Sequence, residues 1–147
     1  MSKQDLWASR LCSLAGCTLI AFSLACTATD DNSTRGAGPK KVTAAELTEQ
    51  IQNSRAPLIL DVRSEEEYAK GHIPGAVNIP YDQLGNRLSE IDAAKTDEIV
   101  VHCRSGHRAG IAEKILIEAG YSDVRDLDGH MNAWQSGGYP IDESQCC

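Results

Sequence analysis

One cysteine in this sequence stands in a pattern that suits a nucleophile. Cys103 follows the β-branched run 99–101 and precedes a tight turn that contains Gly106 and Arg108. From Ala109 onward, apolar residues recur at the spacing of a helix. Backbone amides in a strand-to-helix turn form an anion-binding nest, and the helix N-terminus adds positive potential. We therefore expect Cys103 to be ionised near neutral pH and open to solvent.

The loop belongs to a larger, ordered set of signatures. The pattern Cys103-x-x-Gly106-x-Arg108 resembles the active-site loop of a rhodanese (sulfurtransferase) domain. A lone C-x-x-G would be weak evidence, but two further stretches resemble the same family in the same order. They are residues 60–63 (LDVR) with 67–80 (EYAKGHIPGAVNIP), and residues 127–129 (LDG) with Trp134 and 138–140 (GYP).

Short apolar runs alternate with helical patterns, which is typical of an α/β fold with a parallel sheet. The resemblance implies a rhodanese-like three-layer fold: a mainly parallel central sheet with helices on both faces. Predicted strands lie at 41–42, 57–62, 76–79, 99–101 and 124–127, and predicted helices at 44–54, 64–70, 81–91, 108–119 and 130–135. Ligands of such sheets bind at the carboxyl ends of the strands, where Cys103 and Asp61 are placed.

The length of the loop separates two chemistries. His102-Cys103-x4-Arg108 is one residue shorter than the His-Cys-x5-Arg signature of cysteine phosphatases. A phosphoryl group has three equatorial oxygens to encircle, whereas a tighter ring of amides suits a single sulfur atom. The resemblance likewise links the shorter loop to sulfur transfer.

Several side chains around the nucleophile have predicted roles. Arg104 and Arg108 are candidates to bind the anionic end of a sulfur donor, because a guanidinium pairs with oxoanions through a fixed fork. The alternative is surface charge for either, or a loop-bracing contact for Arg108. Ser105, Gly106 and His107 are expected to contribute backbone amides, with Gly106 at positive φ. His107 could instead donate a proton.

The resemblance also assigns supporting residues. Asp61 and Arg63 are expected to brace the active-site loop, the alternative being an internal ion pair without a catalytic role. His72 and His102 are read as structural, His102 because strand alternation points it away from Cys103. Trp134 is expected in the core. Many family members have paired glycines where this chain has Gly129-His130, so a side chain there could reshape the pocket.

The implied reaction is two-step nucleophilic catalysis. Cys103 takes a sulfane sulfur from thiosulfate or a similar small anionic donor and passes it from a persulfide to a thiol or cyanide. No metal or organic cofactor is required. The alternative is a persulfide carrier or sensor that does not turn over. A thioredoxin-type exchange lacks its C-x-x-C pair in the predicted domain.

Charge and cysteine placement limit the other functions. The formal net charge of −7 gives no electrostatic support to a nucleic-acid partner. Of the six cysteines, Cys103 alone lies inside the predicted domain, so we expect it to remain a free thiol. The vicinal pair Cys146-Cys147 could form a disulfide, accept sulfur, bind a soft metal or be inert.

The N-terminal part reads as an export signal. An uncharged apolar stretch at 11–25 follows Lys3 and Arg10, and it is shorter than the about 20 residues of a membrane-spanning helix. Lipidation at Cys26, or less favourably at Cys17, would tether the protein to a membrane; ordinary cleavage would release it. We predict a signal peptide at 1–25, a linker at 26–39, the domain at 40–143 and a tail at 144–147, located in or facing a bacterial periplasm.

Overall fold

The structure is a computed structural model that describes residues 40–143. The predicted signal peptide, the linker, Cys26 and the Cys146-Cys147 tail therefore lie outside the described residues. The strands are β1 (Lys40–Val42), β2 (Leu58–Asp61), β3 (Val77–Asn78), β4 (Glu98–His102) and β5 (Asp123–Leu127). The α-helices are α1 (Ala44–Gln52), α2 (Glu65–Ala69), α3 (His107–Glu118) and α4 (His130–Ser136).

The five strands form one sheet in the order β1-β5-β4-β2-β3, and every pairing is parallel. The predicted parallel α/β architecture is confirmed. β4 occupies the centre, between β5 and β2. The register places Asp61 beside His102, so the residues that follow β2 and β4 leave the sheet side by side.

Strand alternation builds a core on each face of this sheet. Ile59 and Val100 join the core that contains α1 and α4, whereas Leu60 and Val101 join the core that contains α3. All four side chains are at most 1% exposed. Burying each contributes roughly 1.5–3 kcal/mol. Helices on both faces complete the three layers.

Two helices begin as their capping signals predict. Thr43 Oγ1 accepts from the amide of Glu46 at 3.2 Å, and the Thr43 amide donates to the Glu46 carboxylate at 2.8 Å. Ser64 and Glu67 form the same reciprocal pair at the start of α2. These capping boxes satisfy amides that the first helical turn leaves without partners.

The helix predicted at 81–91 is wrong. The segment contains two single 3-10 turns instead, Leu84–Asn86 and Leu88–Glu90. Leu84 and Ile91 are buried in the α3-side core. Their spacing imitates a helix, but Gly85 weakens one, and anchoring both side chains decides the backbone path. Within residues 40–143, none of the helices is long and apolar enough to cross a membrane.

Candidate active site

Cys103 lies directly after β4, under the loop that leads to α3. The backbone amide of Gly106 donates a hydrogen bond to its Sγ at 3.1 Å, and the guanidinium of Arg108 interacts electrostatically with Cys103. The expectation of a solvent-open thiol is wrong for this conformation, because Cys103 is 1% exposed. The reason is that its side chain belongs to the α3-side core, together with Val62 and Ala109.

The loop is held from both of its ends. The carbonyls of Cys103 and Arg104 accept hydrogen bonds from the amides of Met131 and Asn132, at 3.1 and 3.2 Å. The carbonyl of Gly106 accepts from Gly110 in the first turn of α3. Gly106 has a φ of +109°, as predicted for this turn. The first turns of α3 and α4 together determine where the loop amides point.

Arg108 is engaged by a carboxylate from another element. Its Nη2 donates to Glu67 Oε1 at 2.9 Å, and its Nη1 donates to Oε2 at 2.5 Å. This bidentate pair lowers the pKa of Glu67 to about 2 and raises the pKa of Arg108. The geometry corresponds to the loop-bracing alternative for Arg108. Sequence reasoning missed Glu67 as a site residue because its capping-box position already explained it.

Arg104 lies on the open side of the loop. Its exposed side chain lines a pocket of about 180 Å³ together with Lys70 and the edge of the buried Arg63. Lys70 stands in the Lys70-Gly71-His72 stretch of the upstream signature, and sequence reasoning gave it no role. Two exposed cations at one pocket favour the binding of a small anion. Glu67, whose carboxylate is bound by Arg108, also lines this pocket.

The other loop residues lie at the surface. The side chains of Ser105 and His107 are exposed, and His107 is the first residue of α3. Among the described loop amides, that of Gly106 is the one that donates to the sulfur. The structure therefore places the Gly106 amide, the Arg108 guanidinium and the thiol together, and leaves the imidazole of His107 on the outside.

Asp61 and Arg63 form a buried ion pair behind this arrangement. Arg63 Nη2 lies 2.6 Å from Asp61 Oδ2, and both side chains are at most 6% exposed. The same nitrogen donates to the carbonyl of Gly71 at 2.9 Å. The pair thus holds the turn after α2, and the imidazole of His102, the residue before Cys103, lies beside it with Nε2 3.8 Å from Asp61 Oδ2.

Three aromatic side chains have structural positions. Burial lowers the pKa of His102 to about 4, so its ring is neutral at pH 7. His72 stacks on Tyr68 with ring centroids 3.7 Å apart, and its Nδ1 lies 3.1 Å from the Tyr68 carbonyl. Trp134 is fully buried and donates to the carbonyl of Pro140 at 2.8 Å. None of the three faces the basic pocket.

The arrangement suits a negatively charged sulfur. An amide donor and a nearby guanidinium both interact favourably with negative charge, and hydrogen bonds to a charged acceptor are the stronger ones. The same donors would stabilise the terminal sulfur of a persulfide. Low exposure strengthens both interactions, since water competes for them less.

Comparison with known proteins agrees with this geometry. A profile of the rhodanese-like domain family matches residues 43–137. The chain is 39% identical over 110 residues to an HTH-type transcriptional regulator of Mycobacterium tuberculosis, covering 74% of this chain and 47% of the regulator. The chain thus spans about half the length of that relative. It is 34% identical over 101 residues to a sulfurtransferase of Allochromatium vinosum, covering 69% of this chain and 92% of the relative.

A solved structure shows the same fold. A rhodanese-like domain protein from Staphylococcus aureus superposes with a TM-score of 0.62 at 30% sequence identity, covering 72% of this chain and 99% of the other. The family profile spans well over half of the chain and includes the cysteine loop. On this evidence the chain belongs to the rhodanese-like domain family.

Proposed function

We propose that this protein is a thiosulfate-type sulfurtransferase in which Cys103 carries the sulfur as a persulfide. The observation that carries the proposal is the environment of Cys103 Sγ, which lies beneath the Gly106 amide and the Arg108 guanidinium. A pocket lined by Arg104, the residue that follows Cys103, and by Lys70 presents two cations to a small anion. Membership of the family and similarity to a sulfurtransferase over nearly its whole length support the same reaction class.

The first step loads the cysteine. The Cys103 thiolate attacks the sulfane sulfur of thiosulfate, a new S–S bond forms, and the S–S bond of thiosulfate breaks. The electron pair of the broken bond leaves with sulfite. The Arg104 side of the pocket would hold the sulfonate oxygens, while the Gly106 amide and Arg108 stabilise the charge that moves onto the persulfide.

The second step unloads it. Cyanide or a thiolate attacks the terminal sulfur of the persulfide and forms a new bond to it, and the S–S bond to Cys103 breaks. The electron pair returns to Sγ and regenerates the thiolate, so no oxidant or reductant is consumed. Dividing the transfer in this way predicts ping-pong kinetics.

Donor access requires the loop side chains to move, because Cys103 is 1% exposed. The bridge between Arg108 and Glu67 is the contact that can yield. Its side chains are 24% and 29% exposed, and ion pairs that solvent reaches contribute only about 0–1 kcal/mol. An anionic donor that competes with Glu67 for Arg108 can offset that cost. Opening of this bridge is therefore part of the proposed reaction.

Intact mass spectrometry of the full chain tests the proposal. After incubation with thiosulfate, the native protein should gain the mass of one sulfur atom, and cyanide should remove it. Cys103→Ser should gain none. Matched controls are Cys146→Ser and Cys147→Ser, which should load as the native protein does. Loading that persists in Cys103→Ser, or that follows the tail cysteines, would refute the assignment.

The enclosure of Cys103 favours one second candidate, a persulfide carrier. A sulfur atom held under the loop is protected from adventitious thiols until a partner displaces the loop. Steady production of thiocyanate from thiosulfate and cyanide supports the enzyme. A single stoichiometric load without turnover supports the carrier.

We also propose that the protein is exported, with Cys26 as the site of lipid attachment. The support is the sequence pattern alone: basic residues, an apolar stretch of 15 residues at 11–25, then a polar run. Such a tether would place the domain at a membrane surface facing the periplasm. The mass of the mature N-terminal peptide tests this, since an unmodified peptide that begins with Met1 would exclude both export cleavage and lipidation.

A further inference from the structure

His130 lies against the back of the cysteine loop. A Cβ built on Gly106 would stand 2.7 Å from His130 Nε2 and 3.3 Å from its Cδ2, so the imidazole occupies the space immediately beside the Gly106 Cα. The same nitrogen lies 3.6 Å from Asp126 Oδ2. His130 is 6% exposed, so this contact is internal. One ring nitrogen thus stands between the loop and the half-buried carboxylate of Asp126.

The backbone at this position is strained for a side chain. His130 has a φ of +52°, directly after Gly129 at +70°. This left-handed conformation raises the conformational energy of residues that have a Cβ, but not that of glycine. This corner leads into the first turn of α4, whose Met131 and Asn132 amides donate to the carbonyls of Cys103 and Arg104. The loop therefore receives hydrogen bonds from the α4 backbone and contacts the His130 imidazole at Gly106.

The imidazole is surrounded by charged and titratable groups from several elements. Burial lowers the pKa of His130, and the nearby carboxylate of Asp126 opposes that effect. The ring is therefore neutral at pH 7, with its Nδ1 unpartnered among the described residues. The groups that act on the ring or on its carboxylate partner are Lys41 of β1, His102 of β4, Asp126 of β5, Glu113 of α3 and Asp128 before α4.

We propose that His130 is a positioning residue for sulfur transfer: its imidazole, which lies between Asp126 and the loop, fixes Gly106 so that the Gly106 amide points at the sulfur of Cys103. This inference rests on the proposed function for its catalytic meaning, but the contact itself does not. Protonation of the ring at low pH would change its interaction with Asp126 and shift Gly106. The loop would then report the charge state of His130.

Two substitutions in the full chain separate positioning from packing. His130→Gly removes the imidazole and leaves a residue that adopts the same φ without strain. His130→Gln keeps a side-chain nitrogen near the position of Nε2 but cannot be protonated. The readouts are the Gly106 amide resonance over a pH titration, the rate of sulfur loading by thiosulfate, and the melting temperature.

In the native protein, the Gly106 amide resonance should titrate together with the His130 ring protons, at a pH below the usual imidazole value of 6.5. In His130→Gly, the resonance should move at neutral pH and the loading rate should fall about tenfold, the scale of one hydrogen bond to a charged acceptor. In His130→Gln, the neutral-pH resonance and most of the loading rate should return, and the titration should be absent.

The inference is overturned if His130→Gly keeps the native Gly106 resonance and loading rate, even if its melting temperature falls. It is also overturned if His130→Gln loses as much as His130→Gly, because the glutamine restores the contact. A native protein that thiosulfate does not load would refute the proposed function instead. The Gly106 titration would still decide whether His130 positions the loop.

Discussion

Glu113 makes the stability of this protein depend on pH in a direction opposite to that of most carboxylates. It lies on α3, is 7% exposed, and its Oε1 has no hydrogen-bond partner among the described residues. Burial raises the pKa of Glu113 to about 7, and the charge of Asp126 adds to the rise, while Lys41 opposes it. The folded protein therefore binds a proton that the unfolded chain releases at a lower pH.

The size of the effect follows from the shift. A rise from 4.5 to about 7 corresponds to at most about 3.4 kcal/mol. The effective dielectric constant is high even at buried sites, so we expect a smaller effect of about 1–2 kcal/mol. Because the folded pKa is raised, this contribution is fully present below pH 4.5 and is lost as the pH rises through 7. Glu113→Gln, which mimics the protonated form, should be more stable than the native protein at pH 8.

Urea unfolding of the full chain at several pH values between 4.5 and 8 measures this difference. Glu113→Gln should match the native protein near pH 4.5 and exceed it by about 1–2 kcal/mol at pH 8. The matched control is Glu118→Gln, an exposed carboxylate on the same helix. Parallel stability curves for the native protein and Glu113→Gln would show that the buried carboxyl is not proton-linked, and the reasoning would fail.

Three further outcomes are expected. Glu67→Gln should lower the free energy of unfolding at pH 7 by about 1 kcal/mol or less, since the bridge between Glu67 and Arg108 is partly exposed. Because the pKa of Glu67 is lowered to about 2, this difference should vanish as the pH falls from 4.5 through 2. Thermal unfolding of both proteins measures it. Gly106→Ala should cost about 2–4 kcal/mol, from a φ of +109° and a clash with His130. When His130 is also replaced by glycine, the part of the Gly106→Ala cost that comes from the clash should disappear. If the two substitutions are additive in a double-mutant cycle, Gly106 and His130 are not in contact. Thr43→Ala should cost about 1 kcal/mol in urea unfolding, because it removes a helix cap.

Local signals in the sequence predicted most of the fold. Capping boxes at Thr43 and Ser64 mark the starts of α1 and α2, and the run before Cys103 is the central strand. Such signals succeed because the hydrogen bonds and side-chain periodicity that they describe lie within one element. The prediction of a helix at 81–91 failed because Leu84 and Ile91, from one short stretch, are both buried in the α3-side core. The backbone path that buries both side chains depends on the distant elements that line this core.

The sequence by itself determined the family and the parallel α/β class, and it predicted Cys103 as the nucleophile. It also predicted the positive φ of Gly106, since a strand, a tight turn and a helix in immediate succession specify that corner. Only the tertiary structure decided what surrounds the sulfur. It buried the thiol, joined Arg108 to Glu67, and set His130 between Gly106 and Asp126. These contacts join residues of different elements, and the packing of α2, α3 and α4 around the sheet creates them.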